Sequence, residues 1–437
     1  MRKTLLLFSA FFSINLFSFA QIQSGPMLGY SEMKEVLLWV QTQKEANVKF
    51  MYWDIEKPST KFSTDEIKTN KSEAFVAKLI ADNVLPGKRY AYEVYVDKKK
   101  VDFNYPLEFQ TQSLWQWRTD PPAFKFAVGS CTYVNEEAFD RPGKPYGSEY
   151  EIFTSIYKTK PDFMLWGGDN VYLREPDWNT KTGILHRYTH TRSLPEMQPL
   201  LANVHNYAIW DDHDFGPNDS DRGFVSKQQT LDVFKLFWGN LNYAFDKEGV
   251  TGSFQWADCQ FFLLDDRWWR TPNDRSTGSR DYFGQKQLQW LIDALKFSNA
   301  PFKFLVVGGQ VGNPAKIFEN YANYEEERNQ LFDLIAKEKI PGVIFISGDR
   351  HWTSLCKVER AGTYPLYDLT VSALTSGASA PVKEEKDVYV EGTGVTKHNF
   401  GLLEVSGKRT DRVLKINIMD KDGKEVWSKE IKASELK

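Results

Sequence analysis

Five short apolar runs each end in residues able to bind a cation or move a proton. Phe124–Val128 leads into Gly129-Ser130-Cys131, Phe163–Trp166 into Gly167-Gly168-Asp169-Asn170-Val171-Tyr172, and Tyr207–Trp210 into Asp211-Asp212-His213-Asp214. Phe302–Val307 leads into Gly308-Gly309-Gln310, and Val343–Ile346 into Ser347-Gly348-Asp349-Arg350-His351. Carboxylates gathered this densely repel one another, and bound cations relieve the repulsion by taking them as ligands. Hard oxygen donors beside one thiol, one phenol and an imidazole suit two different metals. The Cys131 and Tyr172 side suits Fe3+, and the oxygen-rich side suits Ca2+, Mn2+ or a similar ion. Taken singly, each residue has an ordinary reading: Asp169 and Asp349 as turn carboxylates, Tyr172 as a core aromatic, Gln310 as a buried amide. Arg267 in Leu264-Asp265-Asp266-Arg267 reads as a salt-bridge partner or as a clamp on a phosphate oxygen, and Arg350 could clamp likewise. His186, His190 and His205 read as helix or loop surface residues, and His398 as the start of a structural strand.

These residues need elements that bring run ends together. The six β-type runs Phe124–Val128, Phe163–Trp166, Tyr207–Trp210, Phe261–Leu264, Phe302–Val307 and Val343–Ile346 alternate with helical stretches over Glu149–Lys158, Gln285–Phe297 and Tyr324–Lys337. In the second helix Leu288, Leu291, Ile292 and Leu295 recur on one face. Such alternation predicts a layered α/β domain, and open α/β sheets collect ligands beyond the carboxyl ends of their strands. The glycines at the run ends let backbone approach closely there. Before this domain, residues 22–112 alternate as strands do, with Val36–Val40, Val48–Trp53 and Tyr90–Val96 clearest. Their spacing predicts an all-β sandwich of about 90 residues. The Pro-containing stretch 113–123 reads as a linker, and 124–437 as the catalytic domain. After Asn399 strands return, with Lys421-Asp422-Gly423 as a hairpin turn.

Composition narrows the class. The 437 residues are 41% hydrophobic and 26% charged, with 55 Lys+Arg against 58 Asp+Glu, so a large basic nucleic-acid-binding face is not expected. No apolar run long enough to span a bilayer follows the N-terminus. Residues 1–20, with Arg2 and Lys3 ahead of an apolar stretch ending in Ser18-Phe19-Ala20, read as a Sec-type signal peptide cut before Gln21. The mature protein is then secreted or periplasmic. In that oxidising setting three cysteines leave at least one unpaired, and a metal thiolate at Cys131 accounts for it. Cys259 and Cys356 could form one disulfide or stay as two free thiols.

The series Gly129-Ser130-Cys131, Gly168-Asp169-x-x-Tyr172, Trp210-Asp211-Asp212-His213-Asp214 and Gly348-Asp349-x-His351 resembles that of the PhoD-like alkaline phosphatases of the calcineurin-like metallophosphoesterase superfamily. The order is specific, whereas each motif alone is weak. The run Leu85–Val96 in turn resembles a fibronectin III-like module. The PhoD-like resemblance implies a four-layer α-β-β-α metallophosphatase core behind the N-terminal sandwich, and a dinuclear site holding Fe3+ and Ca2+, with Zn2+ or Mn2+ as alternatives. It implies that Cys131, Asp169, Tyr172 and His351 hold the iron, that Asp169 bridges, and that Asp212 and Asp349, with Gln310 as a further ligand, bind the second ion. His213 would then serve the leaving oxygen, while a metal-bound hydroxide attacks the phosphorus of a monoester or diester. The substrate would be a small-molecule or lipid phosphate ester. Asp214 stands where the family more often has Glu, and the leader lacks the twin arginine common in the family.

Other readings are a phosphodiesterase or phospholipase specialised on diesters, a glycoside hydrolase using paired carboxylates and the abundant Trp, and a carbohydrate-binding surface protein using the N-terminal sandwich and exposed aromatics. The glycoside hydrolase leaves Cys131, His213 and His351 without roles. Gly308-Gly309-Gln310-Val311-Gly312 lacks the Lys-Ser/Thr ending of a phosphate loop. Asn218-Asp219-Ser220-Asp221 resembles a calcium loop only loosely.

Overall fold

The computed structural model describes residues 21–437 apart from 386 and 387. The leader expected over residues 1–20 lies outside the described residues. Two sheets form the catalytic core. One contains the parallel strands Phe124–Gly129, Phe163–Gly167 and His205–Ile209, extended antiparallel by Asn399–Ser406, Val413–Asp420 and Glu425–Lys432. The other runs in the order Gly252–Trp256, Cys259–Leu263, Lys303–Val306, Val343–Ser347, Leu366–Thr370, Ser354–Val358. Parallel strands need both faces covered, and all the residues of Phe163–Gly167 and Val343–Ser347 are buried. Helices Gly284–Phe297 and Glu325–Lys337 present Leu288, Leu291 and Leu295, and Leu331 and Ile335, to the core. Every apolar run and helix expected from 124 onward is present to within three residues at each end.

Aromatic rings fill the space between the sheets. Phe126 lies edge-on to Phe261 and Phe304, with centroids 5.2 and 5.5 Å apart. Phe163 stacks on Phe126 at 4.9 Å. Five tryptophans are completely buried, namely Trp39, Trp166, Trp210, Trp238 and Trp352. Much of the high aromatic content therefore fills the core.

The N-terminal segment folds as two sheets around its own core of Val48, Phe50, Tyr52, Tyr92 and Phe109. It is less separate than the sequence suggested. Its strands Ile22–Ser31, Val36–Thr42 and Val76–Ala81 continue the first catalytic sheet into nine strands, joined where Leu28 pairs in parallel with His205. Trp39 reaches the catalytic side, packing on Phe237 at 5.7 Å and donating from Nε1 to the Leu236 carbonyl at 3.0 Å. The stretch 113–123 divides the sequence but not the sheet, because main-chain pairing crosses from residues 22–31 to residues 205–209 without using it.

His205 also departs from its expected surface position. It is fully buried, with Nδ1 2.9 Å from the Gly29 carbonyl and Nε2 facing the Gln110 N–H at 3.5 Å. The three cysteines are all buried and free, Cys259 and Cys356 included. These two stand at positions two and six of the second sheet, which rules out a bridge.

Candidate metal centre

The chain turns sharply after each site strand, and the turns carry the ligands. Cys131, Asp169, Asp349 and His351 all adopt left-handed backbone, with φ of 61, 50, 66 and 56°. Such geometry costs non-glycine residues of order 1–3 kcal/mol each and gathers at functional sites. Gly168, at φ +97°, lies so close to Asp211 that a Cβ would come within 2.7 Å of that side chain. Gly348 is similarly close, as a Cβ there would come within 2.5 Å of Ser130 Oγ. These approaches draw the ends of four strands together.

At their meeting point Cys131, Asp169 and His351 bring ligand atoms within 4.8 Å of one another. Tyr172 joins them, its hydroxyl donating to Asp169 Oδ2 at 3.1 Å and lying 3.2 Å from His351 Nε2. His351 is oriented from behind by the Gly377 carbonyl, 2.9 Å from Nδ1, and by the Tyr146 hydroxyl at 3.1 Å. Ser372 donates to the Cys131 sulfur at 3.1 Å. Asp169, Asp212 and His213 form a second group sharing Asp169 with the first. The His213 imidazole lies against the Tyr172 ring, centroids 4.2 Å apart.

Electrostatics favour a cation. Burial pushes the Cys131 thiol up to about 11. Burial, then the charges of Asp212 and Cys131, hold the Asp169 carboxyl well above the usual range. Burial likewise raises Asp349 to about 6, with Glu319 and Asp212 adding to it against the pull of Arg350. Burial opposes ionisation of Asp212 too, but His213, Arg267 and the Asp219 N–H outweigh it and hold the group at about 2. Buried acids that resist ionising alone, yet sit with their ligand atoms converged, become favourable anions once a cation neutralises them. The donor set of thiol, phenol, imidazole and carboxylates therefore fits a two-metal site. Burial lowers the imidazole pKa of both His213 and His351, against the opposing pull of Asp212 on the first and Asp349 on the second.

Four of the expected site residues do not join these ligand groups. Asp349 lies just past the end of its strand and feels the charges of Asp212 and Glu319, but its carboxylate is in none of the three groups, among the described residues, whose ligand atoms converge. The Gln310 amide is committed elsewhere, Nε2 donating to Thr370 at 2.8 Å and Oε1 accepting from Asn313 at 2.8 Å. Arg267 is fully buried and held on both edges, by Asp211 at 2.6 Å and by both oxygens of Glu319 at 2.7 and 2.8 Å. A guanidinium so occupied positions the loops and has no edge left to clamp phosphate. Arg350 donates to Glu385 at 3.0 and 3.1 Å and lies over Phe318, 4.0 Å from the ring centroid.

Other residues took part unannounced. Asp219 and Glu319 complete a third acidic group with Asp212; the loose calcium-loop pattern over Asn218–Asp221 was the only sign of the first, and none pointed to Glu319. Asp214, where the family more often has Glu, clamps two site loops. Its carboxylate accepts from the N–H groups of Asn170 and Asp211, each at 3.0 Å.

Residues 242–409 match the family model described as PhoD-like phosphatase, a stretch that contains Asp349 and His351. This part of the chain is PhoD-like. By class, the chain is a phosphoric ester hydrolase. Residues 19–114 match a domain of unknown function, DUF7800. Among curated proteins none matches the sequence. The PhoD-like fold extends well past the matched stretch. A solved structure of PhoD superposes with a TM-score of 0.75 at 16% identity, over 95% of this chain and 93% of that one. A purple acid phosphatase, PPD1 from yellow lupin (Lupinus luteus) seeds, superposes with a TM-score of 0.68 at 12% identity, over 93% of this chain and 74% of that one. Both cover the N-terminal strands together with the PhoD-like core.

Proposed function

We propose that this chain is a secreted phosphoesterase that hydrolyses phosphate monoesters and diesters at a dinuclear metal site. The observation that carries the reading is the convergence of Cys131, Asp169, Tyr172 and His351 on one side of Asp169 and of Asp212 and His213 on the other. On this reading Cys131, Asp169, Tyr172 and His351 hold Fe3+. Asp169, Asp212 and Asp349 hold the second ion, Ca2+ in the first instance, with Asp219 and Glu319 beside them. The bound ions would supply charge neutralisation for the phosphoryl oxygens and an activated water.

The rest falls to the chain. Arg267 holds Asp211 and Glu319 so that the loop carrying Asp212 and His213 keeps its place. His213, seated on the Tyr172 ring, offers its N–H to the leaving oxygen and assists its departure. Tyr146 and the Gly377 carbonyl fix the His351 ring so that Nε2 stays turned inward. Deep burial of the acids excludes bulk water and strengthens each of these interactions.

Hydrolysis of p-nitrophenyl phosphate and bis(p-nitrophenyl) phosphate tests the proposal. Activity abolished by chelator, restored by metal and absent in Asp169→Asn is the expected result. Activity that persists through exhaustive chelation would overturn it.

A further inference from the structure

A cleft of about 340 Å3 opens beside the cluster, with Tyr172 and His213 among its lining residues. One lip is the segment 139–146, which carries Phe139, Arg141, Lys144 and Tyr146. The lip is anchored at both ends. At its root, Asp140 accepts from Tyr133 at 2.8 Å, from the Glu136 N–H at 2.7 Å and from Arg174 at 2.8 Å. At its far end, Tyr146 packs edge-on to Tyr133 at 4.9 Å and bonds His351. Pro142 and Pro145 restrict the span between these anchors. The lip therefore presents its side chains from a fixed frame.

Phe139 touches His186 edge-on at 5.8 Å and Tyr146 bonds His351, but both rings keep open faces and the two cations of the lip are unpaired. Phe139 and Tyr146 are 38% and 44% exposed, unusual for large aromatic residues in this chain. Arg141 and Lys144 form no ion pair among the described residues, whereas Arg174 beside them is paired with Asp140. Once Asp140 is neutralised in this way, Glu175 is the one acid left in the lining against two free cations. Exposed rings beside unpaired cations, at the entrance to a cluster that acts on anions, make a surface suited to a flat, negatively charged group.

We infer that this cleft is the subsite for the leaving group, and that it selects esters whose leaving group carries a planar ring and a second negative charge, as the nucleotide end of a phosphodiester does. The inference rests on the phosphoesterase reading, because His213 both lines the cleft and serves the leaving oxygen. The ring would lie between Phe139 and Trp178, with its anionic substituent reaching Arg141 and Lys144.

Three monoesters isolate the two features: ethyl phosphate, phenyl phosphate and 4-carboxyphenyl phosphate, assayed with the metal-loaded enzyme. Comparing variant with wild type on each substrate cancels differences in intrinsic reactivity. Arg141→Ala combined with Lys144→Ala should raise KM for 4-carboxyphenyl phosphate about fivefold, as expected for two exposed charge contacts, and leave the other two within about twofold. The increase should shrink in high salt. Phe139→Ala should raise KM for both aryl esters and not for ethyl phosphate. Equal shifts on all three esters, or none on any, would overturn the subsite. Failure of metal-loaded wild type to cleave any of the three would instead count against the phosphoesterase reading itself.

Discussion

The Nε of Arg267 lies 2.6 Å from Oδ1 of Asp211, with both side chains wholly buried. Asp211 immediately precedes Asp212 and His213, so an arginine contributed by the second sheet fixes a loop of the first. Its other edge holds Glu319, beside the site. Removing one member of such a network leaves the others charged and unpaired in the interior. Arg267→Met should lose about 3–5 kcal/mol of stability, read as a shift of the denaturant midpoint. A variant of wild-type stability with only a raised KM would show that Arg267 contacts substrate after all.

Cys131 and Tyr172 give the centre an optical test. A thiolate and a phenolate on Fe3+ absorb visible light by charge transfer, so purified protein should be coloured. Tyr172→Phe should shift or bleach that band in a folded protein, and Cys131→Ser should lower iron retention by at least about tenfold. A colourless, fully active protein would remove the iron assignment while leaving a two-metal hydrolase standing.

His205 makes stability depend on pH. Burial lowers its pKa from 6.5 to about 4 in the fold, where its bonds to Gly29 and Gln110 suit the neutral ring. Between these values the unfolded chain binds a proton that the folded chain does not, so acidification favours unfolding. The contribution is complete above about 6.5 and is lost as pH falls toward 4, a drop of roughly 1–3 kcal/mol. Denaturant midpoints at pH 7 and pH 5 should differ more for wild type than for His205→Gln. Equal differences would remove His205 from this role.

The continuous nine-stranded sheet predicts that the N-terminal segment cannot be cut away. A chain starting at residue 113 would expose the edge of His205–Ile209 and the surface covered by Met27, Leu37 and Trp39. Exposed strand edges with apolar surroundings drive aggregation. Expression of residues 113–437 should yield insoluble protein, assessed by soluble fraction and light scattering. A soluble monomer with full activity would restore two independent domains.

The parts of this molecule that can be read from the sequence are those governed by local pattern. Apolar runs such as Phe163–Trp166 mark strands because a doubly covered sheet needs unbroken hydrophobicity, and the chemistry at their ends is visible because ligand types are few. Contacts between distant segments leave no such trace. Nothing near Arg267 in sequence announces Asp211 or Glu319, so the salt-bridge reading, though favoured over a clamp on substrate, could not name its partners. Gln310 follows a strand as the ligands do, yet its amide turns to Thr370 and Asn313. The pairing of Leu28 with His205 was hidden because a strand's sequence reports its burial but not its neighbour.

Metal content per chain, measured by elemental mass spectrometry on exported and purified protein, tests the central claim most directly. The account predicts about one iron with one or more calcium ions per chain, both lost in Asp169→Asn. Two equivalents of zinc or manganese would keep the dinuclear hydrolase and replace the assigned metals. A folded, chelator-free sample holding no metal would contradict it.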